Sequence, residues 1–317
     1  MTASWPLRMA LTVRAWFDGH APAPAGARSP RRIDVARQLP FVAIHAGCLL
    51  VPWVGVSTRA VVVALVLYAA RMFAITAFYH RYFSHQAFRT GRVPQFVFAL
   101  LGASAAQRGP LWWASHHRHH HVHADEPADS HSALRHGFLW SHLGWFMARE
   151  NFAVRSELVK SWMRYPELRF LDRWDALVPL LLLAGLWIAG GAQLAVWGFC
   201  VSTVAVYHAT FSINSLAHRY GTRRYPTRDA SRNNAWLALL TFGEGWHNNH
   251  HASPQAAKHG LAWYEFDINW YGIRTLKALG LAWDIKLQKA KQTAADLASA
   301  PLAAPEPQEM TTAISGD

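Results

Sequence analysis

The chain alternates between long apolar runs and polar, histidine-bearing connections. Residues 39–58 carry no Asp, Glu, Lys or Arg, and 60–79 carry one, Arg71. Arg59 separates them, beside the turn-like Gly55-Val56-Ser57-Thr58. About 20 apolar residues span a bilayer as a helix, so the pattern predicts a hairpin of two spans, 39–57 and 59–79. A second block, 176–217, runs 42 residues without an Asp, Glu, Lys or Arg. That is too long for one span, and Gly190-Gly191-Ala192-Gln193 offers a break. It predicts a second hairpin with arms 176–191 and 194–217, the first arm short. Four such runs in paired arrangement argue against buried helices of a large soluble core. Pro94–Gln107 is uncharged but 14 residues long, which suits a re-entrant or interfacial helix.

Two hairpins put the N-terminus, the 80–175 connection and the tail from 219 on one side. Those three parts hold 29 of the 31 Lys+Arg; Arg59 lies opposite and Arg71 within a span. The positive-inside rule then makes that side cytoplasmic. Charge therefore changes the picture only by orienting it. Much of the net +12 follows from topology and membrane-surface contact, and no nucleic-acid-binding signature accompanies it. The mean hydropathy of +0.02 averages apolar spans with a polar cap. Two cysteines, Cys48 and Cys200, both in apolar runs, exclude a disulfide scaffold. No secretory signal is visible in 1–38, and Ala21–Pro30 reads as flexible. The expected organisation is a cytoplasmic segment 1–38, a membrane domain 39–291 and a flexible tail 292–317.

Histidine carries the chemistry. Of 19 His, one group is His80 and His85, a second His117, His120 and His121, and a third His247, His250 and His251. Each triplet is spaced i, i+3, i+4, which places it on one helical face. Asn214 and His218 share a face at i, i+4. His80 and His85 fall about 140° apart on an ideal helix, so they engage different atoms or sit where the helix ends. Each group lies just beyond a predicted span. Neutral imidazole is the commonest nitrogen ligand for transition metals, and this number of candidates suits two ions better than one. His116, His119, His123, His131 and His136 read as bystanders or supporting groups. His20, His45, His208 and His259 show no pattern and read as structural. Soluble di-iron bundles use paired Glu-x-x-His motifs; here only Glu244 and His247 have that spacing, which argues against a carboxylate-bridged bundle. No Gly-x-Ser-x-Gly and no phosphate-binding Gly loop is present.

The order H-x4-H, H-x2-H-H, N-x3-H, H-x2-H-H on two hairpins resembles the membrane fatty acyl-CoA desaturases of the stearoyl-CoA type. The likeness covers roughly residues 70–265. It includes Trp113-Ala114, Asp129-Ser130-His131, the run Gly137 to Trp145, Asn214-Ser215-Leu216-Ala217-His218, and Gly243-Glu244-Gly245-Trp246-His247-Asn248-Asn249-His250-His251. The resemblance implies an all-α membrane protein with four transmembrane helices and a cytoplasmic helical cap. It implies two iron ions on His80, His85, His117, His120, His121, His218, His247, His250 and His251, with Asn214 acting through a water. It also implies O2-dependent conversion of a saturated acyl chain to a cis alkene, usually at delta-9. His116 and His119 stand where such proteins commonly carry Asp and Ala; neither removes a matched ligand.

The reaction gives independent reasons for this layout. A methylene C–H bond in the middle of an acyl tail has no activating group, so its cleavage needs an oxidant made from O2 and two electrons. Zinc suits the ligands but has no redox chemistry; iron is inferred from the reaction. The acyl tail must be held dry with one methylene at the metals. Trp113 and Trp145 are candidate tunnel residues, with an interfacial aromatic belt as the plain alternative. Arg118 is the candidate contact to a coenzyme A headgroup, and Arg108, Arg219, Arg223 and Arg224 are also near. No haem, flavin or iron–sulfur motif is visible, so an external ferredoxin, cytochrome or reductase is expected. The alternatives are a membrane di-iron hydroxylase or oxygenase, told apart by its alcohol product, and a His-rich metal-binding transporter. A transporter would hold ligands at mid-membrane depth rather than beyond the span ends.

Overall fold

Apolar helices dominate the architecture, and polar, histidine-bearing segments gather at one end of them. The computed structural model describes residues 13–14, 16–19 and 31–288. Most of the 1–38 segment and the whole 292–317 tail lie outside the described residues.

The first arm is helix α1, Leu39–Cys48, followed after a break by a single turn, Val51–Val54. Pro52 explains the break, because its ring cannot coexist with a helical carbonyl four residues earlier, at Cys48. The next helix, α2, Thr58–Phe73, starts at Ser57, whose side chain accepts from the Ala60 amide. It continues without interruption as a wider π-type helix through Ala74–Ser84. The wider winding shows in the His85 amide donating to the His80 carbonyl, five residues back.

Helix α3, Arg92–Ala103, and α4, Pro110–His123, follow. The face of α3 bearing Gln95, Ala99, Gly102 and Ala103 is buried. A Cβ at Gly102 would overlap the Tyr79 ring, so only glycine allows this approach. The Tyr79 hydroxyl donates to the Ala99 carbonyl. The long apolar stretch is α5, Leu177–Leu194, a π-type segment Ala195–Val201, and α6, Ser202–Leu216. Its backbone leaves helical angles at Gly190 and Gly191, the latter at φ 61°, where a side chain would be strained. The stretch therefore folds into two arms. Helices α7, His247–Ala252, and α8, Ile268–Ala278, complete the cap. Among the described residues the strand content is one antiparallel pair, β1 Arg89–Thr90 with β2 Ala282–Trp283.

Thr58–Ser84 and Leu177–Leu216 are long and apolar enough to cross a membrane. Their turns meet at one end. Ser57 and Gln193 are hydrogen-bonded through their side chains, Gln193 donates to the Val54 carbonyl, and Arg59 donates to that of Ala189. Farther along α2, buried Arg71 donates to the Leu67 and Ser104 carbonyls and to the hydroxyls of Thr203 and Ser202. A charged group in an apolar surround is tolerable only when its donors are satisfied in this way. At the opposite end, a core of Phe78, Tyr79, Tyr82, Phe83 and Phe88, with Leu111, underlies the histidines.

Candidate metal centre

Four segments deliver the site. The π-type helix supplies His80 and, as its C-cap where the helix ends, His85; α4 supplies His117, His120 and His121, His218 follows α6, and α7 supplies His247, His250 and His251. The wide winding turns each residue through a smaller angle than an α-helix does. Residues five apart therefore come closer in angle than on an α-helix, and the His80 and His85 rings lie 4.9 Å apart. The 140° separation of an ideal α-helix does not apply here.

Nine imidazoles form two groups. His80, His85, His117, His121 and His250 make one; His120, His218, His247 and His251 make the other. Within each group the candidate ligand atoms all lie within 4.8 Å of one another. Each triplet is thereby divided. Helix α4 gives its i, i+4 pair to the first group and His120 to the second. Helix α7 gives His250 to the first group and its i, i+4 pair to the second.

Carboxylates fix the tautomers. His120 Nδ1 lies 3.0 Å from Asp129, His218 Nδ1 2.8 Å from Asp125, and His251 Nδ1 2.8 Å from Asp229. His80 Nδ1 lies against Glu244. A carboxylate accepts, so each of these Nδ1 atoms carries the proton and each Nε2 presents a lone pair inward. The Nε2 atoms then crowd: His80 to His250 at 3.0 Å, His85 to His117 at 2.8 Å, His121 to His250 at 2.9 Å. His251 Nε2 is buried with no hydrogen-bond partner. Converging lone pairs repel unless a proton or cation lies between them, and the donor set fits two transition-metal ions.

Electrostatics agree. Burial, with neighbouring imidazoles adding to it, pushes His85, His117, His121, His247 and His250 well below the ordinary histidine range. Burial also takes His251 down to about 4, against the pull of Asp229. These rings are neutral at pH 7, as ligation requires. His120 is the exception: burial opposes its charge, but Asp129 outweighs it and raises the pKa. Burial opposes charge on Asp125, Asp129 and Asp229 too, yet the imidazoles and hydrogen bonds around them hold all three below the usual carboxylate range.

The other candidates are dispersed. Asn214 lines a cavity of about 450 Å³ with Trp113, Trp145, His117 and His131. Arg118 is not among the cavity's lining residues. Its guanidinium donates to the carbonyls of Phe83, Ser84 and Leu158, so its donors are engaged by the fold. His116 points away, to the Ala153 carbonyl, and His123 to Glu126. Two residues gain importance. His131 stacks on His120 at 4.4 Å, and His259 lies 4.5 Å from His250 and beside Glu244. Sequence reasoning weighs carboxylates as competing ligands and misses them as supports. Asp125 and Asp129 are within reach of such a reading, since they follow α4 directly. Asp229 has no such local signal.

Comparison with known proteins matches residues 57–283 to the fatty acid desaturase family. The chain is 39% identical over 269 residues to palmitoyl-monogalactosyldiacylglycerol delta-7 desaturase from Arabidopsis thaliana, covering 84% of this chain and 72% of that protein. It is 38% identical over 265 residues to sn-1 stearoyl-lipid 9-desaturase from Anabaena variabilis, covering 82% and 97%. It is 37% identical over 265 residues to icosanoyl-CoA 5-desaturase from Limnanthes douglasii, covering 82% and 74%. With both sequences covered so broadly in each pair, and the matched region carrying both imidazole groups, this chain belongs to the fatty acid desaturase family.

Proposed function

We propose that the protein is an O2-dependent di-iron desaturase that places a cis double bond at delta-9 of a saturated acyl chain, carried on coenzyme A. The observation that carries this reading is the division of nine imidazoles into two adjacent groups beside an apolar cavity. The nine imidazoles would hold the two irons, and Asn214 would act from the cavity wall through a water. When bound, the irons supply the oxidising power that an unactivated C–H bond demands. Two carbon-bound hydrogens, O2, two electrons and two protons then give one alkene and two waters.

The protein's own residues do the rest. Asp125, Asp129, Asp229 and Glu244 hold protons on Nδ1 and so keep Nε2 available. Trp113, Trp145, Phe41, Tyr207 and Phe211 line the cavity, where they would exclude water and align the acyl tail. Arg37 and Arg108 line the same cavity and suit an anionic carrier. Relatives carry both acyl-lipid and acyl-CoA names, and turnover of the two substrates separates the carriers. Electrons come from a separate donor protein. The four arms span the bilayer with the cap in the cytoplasm, which the one-sided Lys and Arg support.

The test is turnover of stearoyl-CoA and of glycerolipid-bound stearate by purified protein with a ferredoxin or cytochrome donor, followed by mass spectrometry of the product. A cis-9 alkene from stearoyl-CoA is expected. An alcohol would replace the reaction class, and turnover of the lipid alone would replace the carrier.

A further inference from the structure

Three histidines that neither group uses form a separate relay of hydrogen bonds through the apolar half of the molecule. His45 lies on α1, His208 on α6, and His142 on the π-type turn Trp140–Gly144. His45 Nδ1 is 2.8 Å from the Phe41 carbonyl, and its Nε2 is 3.2 Å from His208 Nε2. His208 Nδ1 is 2.9 Å from His142 Nε2, and His142 Nδ1 is 2.9 Å from the Ser215 hydroxyl.

The carbonyl fixes every proton in this series. It only accepts, so His45 Nδ1 donates to it and neutral His45 offers a lone pair at Nε2. His208 must donate from Nε2, which leaves its Nδ1 as an acceptor. His142 therefore donates from Nε2 and accepts at Nδ1 from the Ser215 hydroxyl, whose single proton turns away from the Phe211 carbonyl, 3.2 Å off, to make this contact. One set of neutral tautomers satisfies all four contacts. The series is not a proton path, because the Phe41 carbonyl cannot pass a proton on. Nor is it a metal site, since His208 uses its two nitrogens in opposite directions.

Its place in the fold says what it does. Each of the three histidines has cavity-lining residues close to it in the chain. Phe41 precedes His45 by one helical turn, with rings 4.3 Å apart. On α6, Tyr207, Phe211 and Asn214 line the cavity beside His208, and Trp145 and Phe146 line it just after His142. The Phe41 and Tyr207 rings stack at 5.4 Å, and Phe146 and Phe211 meet at 4.9 Å. The hydrogen bonds thus tie three cavity walls together from behind.

We propose that His45, His208 and His142 are positioning residues that fix the shape of the acyl cavity and so decide which methylene faces the metals. This rests on the desaturase reading above. Losing the ties lets the three walls shift independently, and the acyl tail is then free to slide by a methylene or more. The His208 position needs one donor and one acceptor, which glutamine also provides.

The test compares wild type, His208→Leu, His208→Gln and His45→Leu as full-length protein, reading double-bond position by mass spectrometry and bound metal in the same preparations. Wild type is expected to give one dominant positional isomer. His208→Leu should raise the share of neighbouring isomers about tenfold with bound metal unchanged, and His208→Gln should restore the wild-type distribution. His45→Leu removes only the end of the series and is read in the same way if His208→Leu does not accumulate. A metal-loaded leucine variant with the wild-type isomer distribution would overturn the proposal, as would a spread that glutamine fails to reverse. A wild type that forms no double bond on any carrier would sink the functional reading instead.

Discussion

The two imidazole groups share α4 and α7 but not their surroundings. Three of the four imidazoles in the smaller group are backed by a carboxylate: His120 by Asp129, His218 by Asp125 and His251 by Asp229. No Arg or Lys side chain pairs with those three carboxylates among the described residues. In the larger group only His80 has such a backing, from Glu244, and that carboxylate is already shared with buried Arg81 and with Asn269. Ligand number and local charge therefore run in opposite directions. The smaller group has fewer ligands but more of them backed by a carboxylate and a larger uncompensated negative charge, both of which favour a cation. The larger group relies on the number of its ligands.

The largest effect should come from removing one imidazole from each group in turn. His250→Ala and His120→Ala should both abolish desaturation. Metal content should fall in each, but the loss should be confined to the group that was cut. Mössbauer spectra of iron-57-loaded protein would show which of two iron signals disappears. Loss of both signals from either variant would mean that the groups are one cooperative site, and an active, fully metallated variant would overturn the assignment.

Next come the supports. Asp229→Asn should weaken metal binding in the smaller group about 10- to 100-fold, the usual cost of losing a hydrogen-bonded partner behind a ligand. Glu244→Gln should differ in kind. Arg81 would keep Asp267, at 2.9 Å, but lose a buried anionic partner. Stability should drop on the order of 3 kcal/mol before metal affinity does. Thermal unfolding and metal titration of the two variants would separate these outcomes. Equal metal loss from both would erase the contrast between the groups.

The sequence carried the nine imidazoles because their spacing is helical and local. Their division into two groups was not legible, since it depends on how α4 and α7 face each other. The meeting of His80 with His85 was hidden for another reason. It needs a π-type winding through Ala74–Ser84, which no residue type in that segment specifies. The apolar runs gave the helices, and Gly190-Gly191 gave the kink. The break after Cys48 has its signal in Pro52, but an uninterrupted apolar run masks it. His45 and His208 lacked any sequence pattern because their partners lie on other elements, 163 residues apart in that pair.

The smallest effect should come from His119, which lies between ligands in sequence but belongs to neither group. Its Nδ1 has no hydrogen-bond partner, and its ring packs against His123 at 4.7 Å. With a half-buried ring and no hydrogen bond at Nδ1, its loss should cost about 1 kcal/mol, the centre of the range for point substitutions, or roughly fivefold in an equilibrium. His119→Ala should therefore keep both metals and turn over at close to the wild-type rate. This variant sets the baseline for the comparison of the two groups, because it perturbs α4 equally for both. A dead His119→Ala with both metals retained would show that α4 contributes more to the reaction than its ligands. Loss of one metal would move His119 into a group and change the five-to-four division itself.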